Sequence, residues 1–324
     1  MMDMGGSQSD ELEFCLGTEQ DFEQVLDISE GSHDGLDYMA VTYHCWLKEP
    51  GRMVFLAKKQ GKVVALESAL LVDGGETVVL QGLRVHPAQR GLGVAGAIQR
   101  HVSQYLRTHC PLVATRRLAR GDDPGPEALS KYRLLSREAI LTLCGEVSEL
   151  GPFLVDLERK LGQEAGREGV PQPVLLSQEA AETLVLSEHV VRNLLPAGNI
   201  INDWEPLKPI ESNLEILRRR GLTWVADRAE LPAALSLCTT PYRVPYRPDA
   251  YHFNINIFGS DQTRARLVFL AQLRQLLPSL CGYVIFHNYV HPSLWPGMRE
   301  FCRSSAGVSL FRDYWEELML ETDI

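Results

Sequence analysis

Apolar side chains recur along the chain at two spacings, and the switches between them mark out its elements. Val94, Ile98, Val102 and Tyr105 fall at i, i+4, i+8 and i+11, the buried stripe of a long helix. Phe22, Val25 and Leu26 form a shorter stripe behind Thr18, a helix N-cap with Asp21 three residues on. Phe253, Ile255 and Ile257 alternate with Asn254 and Asn256, the period of a strand with one apolar face. Gln60-Gly61 and Asp73-Gly74-Gly75 are turns between β-rich runs, so residues 54–58, 63–72 and 76–85 read as an antiparallel meander. A strand at 14–17, a helix at 38–47 after a loop at 31–36, a strand at 112–118, a short helix at 126–132 and a strand at 139–144 complete the order β-α-α-β-β-β-α-β-α-β.

Residues 1–12 are small and polar and read as a disordered tail, and residues 13–150 as a first domain. Gly and Pro gather over 151–180, which reads as a linker carrying one helical stretch at 153–161. The remainder, 181–324, reads as a second domain with helices at 182–195, 211–219, 263–277 and 292–304. Its strands fall at 222–226, 235–239, 251–258, 283–290 and 315–320. From residue 251 the order is strand, helix, strand, helix, strand, which repeats that of residues 76–144. A tandem duplication is therefore expected: two α/β (α+β) domains, each a mixed, largely antiparallel sheet flanked by helices.

Composition narrows the function. A length of 324 residues suits two domains, and 45% hydrophobic with 23% charged residues is globular. A net charge of −10 disfavours nucleic acid as a general partner. No run reaches the roughly 18–20 apolar residues of a membrane span, and Asp and Glu near the start do not suit a signal peptide. Seven scattered cysteines without a C-x-x-C pair are expected to be reduced thiols in a cytoplasmic protein. The nine histidines show no metal-ligand spacing, so no metal is expected. Small molecules are left as partners.

The chemistry concentrates where the meander meets the long helix. After a strand ending Leu83-Arg84-Val85 and then Pro87, Arg90-Gly91-Leu92-Gly93-Val94-Ala95 opens the helix. Glycines admit a ligand close to the backbone, and the first-turn N–H groups have no partners within the helix. With the positive helix end they make an anion site suited to a pyrophosphate, and the plain alternative is a Gly turn that only starts a helix. Two ligand classes fit. Gly91-x-Gly93-x-x-Gly96 satisfies the dinucleotide fingerprint, with Arg116 and Arg117 about twenty residues on, where NADP binding uses arginine. Against it, four residues separate Pro87 from Gly91, and the upstream elements form an antiparallel meander.

The second class comes with a resemblance. Arg90-Gly91-x-Gly93-x-Ala95 resembles the acetyl-CoA motif R/Q-x-x-G-x-G/A of the GCN5-related N-acetyltransferase (GNAT) superfamily, and the order over 13–145 is similar to that fold. Gly35-Leu36-Asp37-Tyr38, Ala65-Leu66-Glu67-Ser68, Gly82-Leu83-Arg84-Val85, Lys131-Tyr132-Arg133-Leu134, Asp203-Trp204, Glu211-Ser212-Asn213-Leu214, Leu237-Cys238-Thr239 and Phe258-Gly259-Ser260-Asp261 resemble the vertebrate histidine N-acetyltransferase family. The resemblance implies tandem GNAT-like domains and acetyl transfer from acetyl-CoA to the α-amine of L-histidine. It implies that the backbone of Leu83 and Val85 pairs with the pantetheine arm, that Arg90, Gly91, Leu92, Gly93, Val94 and Ala95 hold the pyrophosphate, and that Tyr132 protonates the departing thiolate. Where the superfamily often carries a Glu base, this chain has Gln81, which cannot serve; Glu67 and Glu76 are the nearest strand carboxylates, and solvated carboxylates are their plain reading.

For the acceptor, Asp122 and Asp123 stand where amines enter such folds and carry charge to pair with an ammonium or imidazole; a turn with an N-cap is the plain reading. Tyr38 and Tyr43 stand in the first helical connection as a lid or as packing. The second half has one glycine and an acid in Gly259-Ser260-Asp261-Gln262-Thr263-Arg264, so it is expected to bind no acetyl-CoA and to shape the acceptor pocket, with Asn254 and Asn256 as polar contacts or a solvated strand face. Acetylation of another free amine and non-catalytic acetyl-CoA binding remain as alternatives.

Overall fold

The computed structural model describes residues 11–29, 35–165, 172–245, 247–303 and 307–324. Residues 1–10 of the expected tail, 31–34 of the expected loop and 166–171 of the expected linker lie outside these. The chain divides into two compact units, Met1–Arg116 with Asp323–Ile324, and Arg117–Thr322.

The first unit holds β1 (Leu12–Leu16), α1 (Phe22–Ser29), α2 (Met39–Lys48), β2 (Arg52–Lys59), β3 (Lys62–Val72), β4 (Thr77–Val85) and α3 (Val94–His109). Its strands run β1-β2-β3-β4, each antiparallel to the next. The alternation read from the sequence gives the sheet two apolar faces. Phe55, Ala57, Ala65, Ala69 and Val78 pack under Val94, Ile98, Val102 and Leu106 of α3. Val54, Leu56, Val63 and Leu66 pack against Val25, Ile28, Met39, Tyr43 and Trp46 of α1 and α2. The expected turns hold: Gln60 and Gly61 take φ of 53° and 75°, the hairpin geometry that twists with the strands. Thr18 and Asp21 form the expected capping box, Asp21 Oδ2 accepting from Thr18 N at 2.9 Å.

β5 (Thr115–Arg120) crosses the division. It starts later than expected because Val113 N bonds to the Cys110 carbonyl at 3.0 Å and closes a turn first. The second unit continues with α4 (Pro126–Leu129), β6 (Arg133–Glu146), α5 (Val147–Ala165), β7 (Val174–Leu176), α6 (Gln178–Leu186) and α7 (Glu188–Asn193). Then come β8 (Ile200–Asn202), β9 (Glu205–Leu207), α8 (Glu211–Arg219), β10 (Thr223–Ala226), β11 (Leu235–Cys238), β12 (Tyr242–Val244) and β13 (Arg247–Phe258). The last elements are α9 (Gln262–Leu276), β14 (Tyr283–Val290), α10 (Trp295–Cys302), β15 (Ser309–Leu310) and β16 (Trp315–Asp323). The helix expected over 182–195 is two helices, because Ser187 leaves helical geometry to cap α7, its side chain accepting from Val190 N.

Strand order in this unit is β5-β16-β6-β14-β13-β11-β10-β7. β13 and β14 are parallel, joined through α9, and β6 is antiparallel to both of its neighbours, β14 and β16. A strand that precedes the 151–180 segment is thus built into the middle of this sheet. That segment is also not a bare connection: Leu154, Phe153, Leu157 and Leu161 of α5 join Phe253, Phe286 and Phe269 in the unit's core. Truncating Phe153 to Ala should therefore cost about 3–5 kcal/mol of unfolding free energy in urea, where a linker side chain would cost under about 0.5.

Candidate functional site

The start of α3 is open. Its N-cap is Gly93 at φ 79°, with no side chain to cap the first turn. Gly91 takes φ 78°, and a Cβ built on either glycine meets nothing within 4 Å. The loop is therefore open on the side where a Cβ at either glycine would stand, and both glycines hold a conformation other residues rarely adopt, while the first-turn N–H groups have no partners within the helix. Leu92 is exposed, Val94 is buried under the helix in the core, and Ala95 follows in the first turn, so all three offer backbone alone. Arg90 Nε donates to the Val85 carbonyl at 3.1 Å, laying the guanidinium along the end of β4. α9 makes the contrast. Its N-cap is Asp261, whose carboxylate accepts from Arg264 N at 2.8 Å and fills the place an anion would take. The residues of the α3 loop fit a pyrophosphate, and those of the α9 loop do not.

Behind the loop, β4 carries a bulge. Leu66 pairs with Arg84 and Ser68 with Gln81, so Glu67 alone opposes Gly82 and Leu83. Gly82 lies at φ 76°, and a Cβ there would meet Trp46 at 2.8 Å. Leu83 is turned out to solvent. Tyr38 stands at the same place, edge-on to Trp46 with centroids 5.8 Å apart and 4.7 Å under the Arg84 guanidinium. Arg84 is buried and paired with Asp37 at 2.9 Å. Gln81 accepts from Arg52 Nη1 at 3.2 Å, which gives it a structural task instead of the base's. Tyr43 is packing, its hydroxyl donating to the Thr18 carbonyl at 2.9 Å.

Glu67 is not a solvated carboxylate. It is 2% exposed on the α3 face, and its Oε2 has no partner among the described residues. Burial pushes it up to about 7, against the pull of a Gln99 hydrogen bond and the Arg116 charge. Glu76 is exposed at the strand start and contributes its carbonyl to Ala114 N and Thr115 N.

Tyr132, Asp122 and Asp123 belong to the second unit, so the compact units do not group them with the α3 loop. Asp122 is gripped by both arms of Arg120, at 2.9 and 2.6 Å, and Tyr132 lies near that guanidinium. Asp123 Oδ1 accepts from Gly125 N at 2.8 Å, the turn-capping role. Arg117, which a 2′-phosphate would need, is 2% exposed, bonded to Glu321 at 2.8 Å and to the Pro206 carbonyl at 2.9 Å.

One polar constellation escaped the sequence. Opposite the α5–α9 core, the second unit's sheet turns Glu138, Thr142, His287, Tyr289, Asn254 and Glu317 to a single face. Asn254 and Asn256 are not a solvated face: both are buried, and Asn254 Nδ2 donates to Asp203 Oδ1 at 2.9 Å. Asp203 and Trp204 form the β8–β9 turn at φ 51° and 72°, strained for residues with a Cβ. Trp204 Nε1 reaches the Tyr289 hydroxyl at 2.9 Å, and Thr142 Oγ1 meets His287 Nδ1 at 3.0 Å. Burial raises Glu138 to about 8; burial, then Glu138 and Asp203, raise Glu317 well above the carboxylate range. Asn254, read as a polar contact or a solvated face, and the Asp203-Trp204 pair were its signals in the sequence.

Comparisons with known proteins follow the same outline. Residues 20–120 match the acetyltransferase (GNAT) family, and residues 169–291 match the family described as histidine N-acetyltransferase, C-terminal. The histidine N-acetyltransferase of Scomber australasicus is 38% identical over 317 residues, 97% of this chain and 94% of that protein. That of Xenopus tropicalis is 38% identical over 321 residues, 99% and 98% of the two chains. Probable N-acetyltransferase 16 of Homo sapiens is 40% identical over 325 residues, 98% and 87%. Among solved structures, a tandem GNAT protein from the clavulanic acid biosynthesis pathway matches with a TM-score of 0.55 at 15% identity, over 97% of this chain and 98% of that one. A putative acetyltransferase from Thermoplasma acidophilum matches at 0.53 and 14% identity, over 96% and 100%. These likenesses show the tandem GNAT fold.

The Glu67 carboxyl binds its proton more tightly folded than unfolded, so the stability it contributes is full below its ordinary 4.5 and is lost as the pH rises to about 7. That span amounts to roughly 3 kcal/mol. Glu67→Gln should therefore unfold less readily than the parent above pH 7 and gain nothing at pH 4, read from urea midpoints across that range.

Proposed function

The chain belongs to the histidine N-acetyltransferase family, and from that premise we propose that it moves an acetyl group from acetyl-CoA to the α-amine of L-histidine, releasing N-acetyl-L-histidine and CoA. The observation that carries the reading is the uncapped start of α3 beside the self-capped start of α9. Bound there, acetyl-CoA supplies an acyl thioester. The chain's part is to fix it. Backbone N–H groups of Gly91 to Ala95 and the positive helix end take the pyrophosphate, with no side chain in the way. Leu83 and Val85, at the bulged end of β4, offer backbone groups to the pantetheine; the Val85 carbonyl keeps a second lone pair beside Arg90.

The acceptor's pKa sets how strong a base is needed. An α-amine of pKa ~8 loses its proton at pH 7 for ~1.4 kcal/mol, whereas a lysine of pKa ~10.4 needs ~4.6. A carboxyl poised near neutrality is sufficient, and Glu67 at the bulge has that poise. Tyr132 is the proton donor to the leaving thiolate, and Tyr38, held against Arg84 at the bulge, borders the acceptor. Asp122 would meet the acceptor's ammonium only by dividing its carboxylate between that cation and Arg120.

The test is chemical. After incubation of the chain with acetyl-CoA and a mixed amino-acid pool, mass spectrometry should find acetyl-histidine; acetylation of a different amine, or none, would reject the acceptor. Leu92→Glu, an exposed site, should weaken acetyl-CoA binding by at least about tenfold in calorimetry, since a carboxylate then faces the diphosphate. Tyr132→Phe should lower kcat and leave KM for acetyl-CoA in place, and a wild-type kcat would remove its role.

A further inference from the structure

Arg84 follows the bulge of β4 and is 5% exposed; Asp37, its counter-ion, is 1% exposed. Arg84 Nε donates to Asp37 Oδ2 at 2.9 Å, and Arg84 Nη1 donates to the Gly82 carbonyl, also at 2.9 Å. The other carboxylate oxygen, Asp37 Oδ1, accepts from Met39 N at 2.7 Å at the start of α2. One buried pair therefore ties the start of α2 to a single peptide of β4, the one that joins Gly82 to Leu83. An ion pair buried this deeply does little more than offset its own desolvation. What it adds here is the hold on that peptide.

The hold has a direction. Arg84 opposes Leu66, whose side chain packs with α1 and α2, so the arginine draws the Gly82 carbonyl toward that side of the sheet. The peptide is trans, and the C=O and N–H of a trans peptide point opposite ways. The Leu83 N–H is thereby turned away from Arg84. The register gives neither Gly82 nor Leu83 a partner residue on β3 among the described residues. The peptide has little room to rotate: a Cβ on Gly82 would meet Trp46 at 2.8 Å, and the Tyr38 ring lies 4.7 Å from the Arg84 guanidinium.

We propose that Asp37 and Arg84 are positioning residues for acyl transfer: by holding the Gly82 carbonyl they aim the Leu83 N–H at the thioester carbonyl of acetyl-CoA. Glu67, the carboxyl offered as base, opposes the same two residues of β4, so the oxygen met at the bulge is that of the reacting carbonyl and not of a pantetheine amide. A donor fixed before its ligand arrives costs nothing to orient on arrival. Resting as it does on acetyl-CoA at the α3 loop, this role is independent of which amine takes the acetyl group.

Acetyl-CoA and S-ethyl-CoA differ at this point alone, a carbonyl in one and a methylene in the other. The whole chain is titrated with each by calorimetry. The ratio of the two affinities reads the hydrogen bond, and the S-ethyl-CoA affinity alone reads the integrity of the fold and of the α3 loop. The parent should bind acetyl-CoA about fivefold more tightly, the size of one neutral hydrogen bond. Arg84→Lys keeps a charge for Asp37 but has no fork to span Asp37 and the Gly82 carbonyl. The double variant Asp37→Asn with Arg84→Met leaves no unpaired charge and keeps an oxygen for Met39 N. In both, the ratio should fall to about one while S-ethyl-CoA affinity stays within about twofold of the parent. A parental ratio in either variant, or a ratio of one in the parent, overturns the proposal and leaves acetyl-CoA binding standing. Loss of both affinities together makes the pair a prop of the fold and overturns it as well. A parent that binds neither ligand removes the acetyl-CoA reading itself, and this role with it.

Discussion

A helix that starts in solvent leaves the N–H groups of its first turn without carbonyl partners, and something must meet them. This chain resolves that constraint twice, in opposite ways. At α9 the acceptor is built in: Asp261 turns its carboxylate back onto Arg264 N. At α3 nothing is built in, because Gly93 occupies the cap and Gly91 precedes it, both in the left-handed region. A helix start capped by Gly gives up only about a few tenths of a kcal/mol relative to one capped by Asp or Ser, and it leaves the first-turn N–H groups free for an arriving anion. The contrast between the two helix starts thus comes down to whether a side-chain oxygen is present at one backbone position. The rest of the first unit frames that opening: α3 is pinned by Val94, Ile98, Val102 and Leu106, and the bulge at Gly82 and Leu83 interrupts the β3–β4 ladder shortly before the loop.

The same element order appears twice along the chain, yet the compact units do not fall where the repeat does. The reason lies in β6. Its pairing partners are β14 on one side and β16 on the other, strands more than a hundred residues away, and both pairings are long, eight residue pairs with β14 alone. Its inner face contributes Ala139, Leu141 and Leu143 to the core that α5, α9 and α10 cover. Its other face carries Glu138 and Thr142 into the polar constellation. A strand buried on both faces between two others belongs to the sheet that holds it, whatever its place in the sequence.

What was legible in the residues was local. The α3 stripe, the Gln60-Gly61 turn, the Thr18 cap and the limits of β14 are set by neighbours within a few positions, and the sequence displays those neighbours. The Gly loop was legible for the same reason, since an anion site at a helix start is made of consecutive backbone groups. Three kinds of feature were not. α5 was read short, because Gly151 and Pro152 interrupt its first turns, its last turn is polar, and its membership of the core depends on distant partners. Asn254 and Asn256 carried the right period but not the knowledge that the β8–β9 turn reaches the face they occupy. Glu138 and Glu317 lie 179 positions apart in a chain of 324 residues, and only strand register makes them neighbours.

Register also explains why those two acids differ from the other buried charges. In the first unit, Glu67 apart, several buried charges come with partners: Asp37 holds Arg84, Glu49 and Ser68 hold Arg52, and Asp21 holds Lys58. Each pair offsets its own desolvation, which accounts for its burial. A buried carboxyl facing a second carboxyl has no such account. Gln at either position would fill the same space, keep a donor and an acceptor, and spare the fold the penalty that burial places on an acid. Positions that break a local rule without a compensating contact are where function is to be sought. Burial, and for Glu317 also the nearby acids Glu138 and Asp203, keep these two carboxyls protonated, so the sheet carries them as neutral groups and not as an ion pair.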